Sequence, residues 1–205
     1  MPPTTTSTAG RTRDSQAARS ARTRSALLRS ARTLFAERGF ADTGREEIAA
    51  RAGVTRGALY HHFASKTEVA AAVVAEIEEE LVQRVVAAAL EGRGLRDQLR
   101  HGCGAYMEAC ADPTMARILA DAPAVLGVQA CHDLDAAACI PLLRTALVGA
   151  DAEGVSVPGD PDVAAALLLG FLNEAAGLIA AAPGDHALRT RVEATVDAFV
   201  DKLFA

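Results

Sequence analysis

The sequence predicts an all-α protein of about nine helices, in two parts of opposite charge. Three observations predict it. Apolar residues recur at three- and four-residue spacing along almost the whole chain, and nothing alternates convincingly at period two. The helical stretches are punctuated by N-cap residues before them and by Gly or Pro after them. The charge is divided: residues 1–66 hold 12 Lys and Arg against 5 Asp and Glu, while residues 67–205 hold 9 against 21. A basic first third on an acidic remainder suggests a polyanion held by the first part only.

Residues 1–22 are rich in Thr, Ser, Ala and Arg and nearly free of large apolar side chains, so a mobile basic arm is expected there. Leu27, Leu28, Ala31, Leu34 and Phe35 predict a first helix from about Arg22 to Arg38, with Gly39 as its stop. Thr43 and Glu46 have capping-box spacing, which starts a second helix at Gly44 that ends near Ala52. Thr55 caps a third helix that buries Leu59 and Phe63. Ser65 and Glu68 repeat the box and open a fourth helix to about Leu90. Further helices are expected over about Leu95–Ala111, from Pro113 to about Ala122, and over about Asp133–Ala150. The breaker-rich loop 153–161 precedes two last helices, about Asp162–Ala182 and Asp185–Phe204. The domains read as 1–22, 23–69 and 70–205.

Composition excludes several classes. Four cysteines (Cys103, Cys110, Cys131, Cys139) lie in apolar helical surroundings without a CxxC or a signal peptide, so buried thiols in a reducing cytoplasm are expected. The longest apolar stretch, Val163 to Leu172, is too short to span a bilayer. No nucleophile elbow, phosphate-binding glycine loop or HExxH occurs, so no enzyme, cofactor or metal is expected. A small helical enzyme remains the alternative from a different class, and an architectural DNA-binding protein a third.

Residues 45–66, REEIAARAGVTRGALYHHFASK, carry the chemistry. A helix that reads a DNA groove needs small or hydrogen-bonding residues near its outward start. Arg56 suits guanine O6 and N7. Gly57 and Ala58 leave room for close approach, and Tyr60, His61 and His62 can donate to phosphate oxygens. Lys66 begins the fourth helix, where free amides also favour an anion.

This segment resembles the tetracycline-repressor (TetR/AcrR) family of bacterial transcription regulators. LLRSARTLFAERGFADT is similar to the family's first helix and turn, and IAARAGVTRGALYHHFASKTEV to its helix-turn-helix and the start of its fourth helix. The resemblance covers residues 24–69. It implies DNA contacts from Arg45, Thr55, Arg56, Gly57, Ala58, Tyr60, His61 and Lys66. His62 matches the second aromatic position, where it contacts backbone or packs beneath the third helix. Gly44-Arg45 departs from the family's usual Ser or Thr and apolar residue, which puts base preference there in doubt. Glu46 is assigned to capping rather than to DNA.

The resemblance also implies an effector-binding and dimerisation domain after residue 70, in a cytoplasmic, nucleoid-associated protein that binds a double-stranded operator as a homodimer. The next-to-last helix is apolar nearly all round, and the last places Leu188, Val192, Val196, Phe199 and Leu203 on one stripe. These two, about 162–182 and 185–204, are the expected dimer interface. Ala166, Gly170 and Gly177 permit close helix approach. Candidate effector contacts are Cys103, Tyr106, Met107, Cys110, Met115, Leu119, Phe171, Asn173 and Glu174. A small, largely apolar effector is expected to release a repressor from DNA. The alternative is a metal- or thiol-redox-responsive regulator, with ligands drawn from His101, Cys103, Cys110, Cys131, His132 and Cys139.

Overall fold

A computed structural model describes residues 8–152 and 159–203, and these form nine α-helices and no strand. The chain divides into two compact units, with the boundary after Val73.

The first unit contains α1 (Thr8–Arg38), α2 (Arg45–Arg51), α3 (Arg56–His62) and the start of α4 (Lys66–Ala89). α1 begins well before the expected Arg22. Its early residues are mostly Ala, Arg and Gln, good helix formers, and no proline interrupts them. The apolar stripe marked only the part that packs. Leu27, Leu28, Ala31, Leu34 and Phe35 of α1 are buried with Ile48, Leu59, Phe63 and Val69. Gly39 ends α1 at a φ of 84°, a left-handed conformation that a side chain would strain.

The Thr43 cap is corrected. Gly44 is the N-cap of α2 and provides no side-chain bond. The Thr43 hydroxyl instead donates to the Gly39 carbonyl at 2.9 Å and is buried. Spacing alone could not tell an N-cap from a residue that ties down the preceding turn. The other caps form as expected. Thr55 Oγ1 accepts from the Ala58 amide (3.2 Å) and Ser65 Oγ from the Glu68 amide (3.0 Å). Glu68 reaches back one residue further than a standard box, to the Ala64 amide.

The second unit holds the rest of α4 with α5 (Leu95–Cys110), α6 (Pro113–Leu126), α7 (Val128–Ala152), α8 (Pro161–Ala181) and α9 (His186–Leu203). Asp112 and Asp160 cap α6 and α8, each accepting two amides just ahead of an N1 proline. α6 continues past Ala122 through Pro123, and α7 starts at Val128, before the expected Asp133. The one break between them is Gly127.

α8 packs against α5, α7 and α9 and is the central element of this unit. Ala165, Leu169, Leu172, Ala176 and Ile179 form its buried face. Val192 and Val196 of α9 are buried as expected, joined by Val200, while Phe199 is exposed. Leu203 ends α9, and the predicted terminal residue Phe204 lies outside the described residues.

Candidate DNA-reading head and regulatory cavity

In the first unit, α2 and α3 meet at a tight turn whose Gly53 has a φ of 67°. That turn sets the outward side chains of α3 beside the start of α2. Arg56 Nη2 donates to Glu46 Oε1 at 2.7 Å, and Tyr60 Oη donates to the same oxygen at 3.3 Å. The Arg45 guanidinium lies 4.5 Å from the centroid of the Tyr60 ring and donates to the Ala64 carbonyl at 3.1 Å. The four side chains form one surface network. Glu46 is held below the usual carboxylate range, first by a bond with its own backbone amide and then by Arg56. It does not cap the Thr43 amide, which bonds the Phe40 carbonyl, but serves its own first-turn amide and acts as counter-ion to Arg56. An exposed pair of this kind contributes little stability, so Arg56 exchanges partners easily.

Thr55, Arg56, Gly57, Tyr60 and His61 are exposed, and Arg45, Ala58, His62 and Lys66 are half-buried. Gly57 is informative. A Cβ there would meet nothing nearer than Thr55 Oγ1 at 3.9 Å, so nothing within the head requires a glycine. His62 lies edge-on to His61 and beside Phe63, and burial pushes its pKa down. This placement favours the packing role over the backbone contact.

Lys66 differs from expectation. Its Nζ donates to the carbonyls of Phe40 (2.7 Å), Ala41 (3.2 Å) and Thr43 (3.0 Å) and sits 4.2 Å from the Phe40 ring centroid. All three ammonium hydrogens are therefore used to hold the turn between α1 and α2. Lys66 fastens the base of the head in this state instead of offering a free phosphate donor.

The second unit encloses a cavity of about 380 Å³ among α4, α5, α7 and α8, in the range of small-molecule sites. Its wall is almost wholly apolar, with Leu81, Val85, Leu99, Leu143, Leu169 and Leu172 among its members. Gln98, Tyr106 and Thr145 bring the polar groups.

Of the expected effector contacts, Cys103 and Tyr106 line this cavity, and Met107, Cys110, Met115, Leu119, Phe171, Asn173 and Glu174 do not. Met107, Cys110 and Met115 are plain buried core. Phe171 and Glu174 face a separate shallow groove with Leu178, Leu188 and Arg191 of α8 and α9, and the Phe171 and Phe199 rings are 4.7 Å apart. Asn173 works behind the wall. It accepts from the Tyr106 hydroxyl and donates to Asp135 Oδ2 at 2.5 Å. The cavity-lining residues of α4 and α7 were not anticipated. Their signal, more apolar residues than one buried face needs, is weak in single helices.

All four thiols are free. Burial pushes Cys103 and Cys110 up to about 12 and Cys139 up as well, so these three are not reactive thiolates.

Two family models match this architecture: the bacterial regulatory proteins of the tetR family over residues 27–73, and the tetracyclin repressor-like C-terminal domain over residues 96–203. The chain belongs to the tetracycline-repressor family. A TetR-family transcriptional regulator from Pectobacterium atrosepticum is 34% identical, with a TM-score of 0.78 over 92% of this chain and 97% of that one. The transcriptional activator FasR of Mycolicibacterium smegmatis is 38% identical over 42% of this chain and 39% of its own length. The transcriptional repressor BepR of Brucella suis is 44% identical over 28% of this chain and 27% of its own. The chain thus spans well under half the length of these two curated relatives. Family members are helix-turn-helix transcriptional regulators, not enzymes.

Proposed function

We propose that this chain is a cytoplasmic transcriptional repressor that binds a palindromic operator as a homodimer and leaves it when a small, largely apolar molecule fills the cavity. The observation that carries the reading is the outward face of α3. It presents Arg56, Tyr60 and His61 around a glycine that nothing in the head requires. Arg56 reads guanine after exchanging Glu46 for the base. Gly57 admits the duplex closely, and Thr55, Tyr60, His61 and Arg45 hold phosphates.

The partner copy pairs through α8 and α9. Val163 (57% exposed), Leu167 (71%) and Leu178 (46%) line the outer side of α8, and Phe199 (56%) that of α9. Gly170 and Gly177 leave open space beside them, so the close approach they permit is to another chain rather than within this one. By length and hydropathy α8 would also suffice to cross a bilayer, beyond what its first ten apolar residues indicated, with a third of its most apolar stretch buried. Pairing with a second copy accounts for that exposed face without a membrane. Two heads then read half-sites about 34 Å apart or somewhat more.

The effector acts by differential affinity for the two states of the dimer. The link is α4, which carries Lys66 at its first turn and Leu81 and Val85 in the cavity wall. Capture of genomic fragments by the full chain tests the reading. Inverted half-sites are expected, with Arg56→Ala weakening operator binding by about 1–3 kcal/mol and relaxing base preference at one position. Unchanged selection by Arg56→Ala would remove its reading role.

A further inference from the structure

Behind the cavity wall lies a side-chain cluster that the proposed repressor mechanism does not use. Glu78 of α4 meets Asp135 and Cys139 of α7, and one donor atom from each lies within 4.8 Å of the other two. All three residues are buried, Glu78 to 7% exposure, Asp135 to 9% and Cys139 to 5%. Two carboxylates in one apolar interior repel each other and lose their hydration, a costly arrangement unless a proton or a cation neutralises it. No Lys or Arg pairs with either one among the described ion pairs, and His132, one turn before Asp135, is the neighbour whose charge favours the ionised carboxylate.

The hydrogen bonds around Asp135 are lopsided. Oδ2 accepts from Asn173, whose own oxygen is held by the Tyr106 hydroxyl. Oδ1 is buried with no partner at hydrogen-bonding geometry, and the Cys139 thiol is the donor turned toward this carboxylate. One oxygen is oriented by a fixed amide and the other is left open, which is how a metal-ligating carboxylate is supported from behind. Asp135 and Cys139 are four apart on one helix, so both face the same way. Glu78 closes the third side from another helix.

We propose that Glu78, Asp135 and Cys139 hold a divalent cation of the zinc class. One thiolate and two carboxylates suit zinc or cobalt, whereas magnesium and calcium prefer oxygen alone. A tetrahedral zinc shell spaces its donors about 3.3–3.8 Å apart, so closure on the ion asks for shifts of about an ångström. Water or an effector atom takes the fourth position. Cys139 also lines the cavity, which provides the entry path. As the metal–sulfur bond forms, the thiol proton leaves to solvent, and no electron is transferred. Of the ligands considered from sequence for a metal-responsive regulator, only Cys139 belongs to this set; the two carboxylates are nearly sixty residues apart and share no motif.

The test uses the full chain, stripped with a chelator, kept reduced and titrated with Co²⁺. A saturable thiolate-to-cobalt charge-transfer band at one equivalent is expected, bleached by Zn²⁺. Cys139→Ser should abolish the band and Cys103→Ser should keep it. Asn173→Ala, which removes the orienting amide, should weaken Co²⁺ about tenfold to a hundredfold. No saturable band in the wild-type chain means that protons neutralise the cluster, and overturns the site. So does a band that survives Cys139→Ser. Should the serine variant not fold, X-ray absorption of the zinc-loaded wild-type chain decides: one sulfur among oxygens supports the site, and no sulfur or several overturns it. Operator binding is not a readout, so failure here leaves the repressor reading standing.

Discussion

The head and the regulatory unit place function on opposite sides of the burial line. In the head, the residues proposed to touch DNA are exposed or half-exposed, and buried Leu27, Phe35, Ile48 and Leu59 only hold them out. In the regulatory unit, the cavity, the Tyr106–Asn173–Asp135 chain and the Glu78 cluster are interior. A surface site can be read from one short segment, because α2, its turn and α3 are contiguous. An interior site is made where α4, α5, α7 and α8 fail to fill space, and each supplies only part of it. Mutations in the head should therefore separate binding from stability, and mutations in the regulatory unit should mix the two.

The largest effect is expected at the outer side of α8. Leu167→Glu should convert dimer to monomer at micromolar concentration and reduce operator affinity at least about a hundredfold, since each half-site then binds alone. Sedimentation with a parallel DNA titration checks it, and a fully dimeric variant would move the interface elsewhere. Next comes Lys66→Met. Loss of the ammonium leaves the carbonyls of Phe40, Ala41 and Thr43 without their donor, and the head should lose about 2 kcal/mol in thermal or denaturant unfolding. A variant as stable as wild type but weaker on DNA at every salt concentration would restore Lys66 as a phosphate anchor.

Gly57→Ala gives the clearest separation. Ala favours a helix over Gly by about 1 kcal/mol, and the space at Gly57 is open, so stability should rise slightly while operator affinity falls. If both rise, the duplex does not approach this backbone. The smallest effect belongs to Glu46→Gln. It removes the exposed counter-ion of Arg56, and non-specific DNA binding should tighten slightly in a salt-titrated anisotropy assay. No change would mean that the Arg56–Glu46 pair carries no restraint on the head.

The points where the fold departs from sequence expectation are choices of partner or placement. Thr43 had the right spacing to cap α2, yet its hydroxyl turned back to Gly39. Lys66 had the right position to meet phosphate, yet three carbonyls of the preceding turn surround its ammonium. Phe171 and Glu174 looked like cavity residues, yet they face the outer groove of α8 and α9. Thr43 chose a local partner four residues back, whereas for Lys66, Phe171 and Glu174 neighbours distant in sequence decided the placement.

What the sequence determined by itself was most of what depends on near neighbours. The helical period, the stops at Gly39 and Gly53, the caps of α3 and α4, and the outward residues of α3 all follow from interactions within a few positions. Tertiary structure alone decided which apolar residues enclose a void and which buried polar groups meet. Glu78 of α4 and Asp135 of α7 come together only because the folded chain brings their side chains to one point, and Asn173 of α8 engages only one of the Asp135 oxygens. The physical reason is reach: a local hydrogen bond is set by backbone geometry over a turn, whereas a cavity or a charge cluster depends on how whole helices stack.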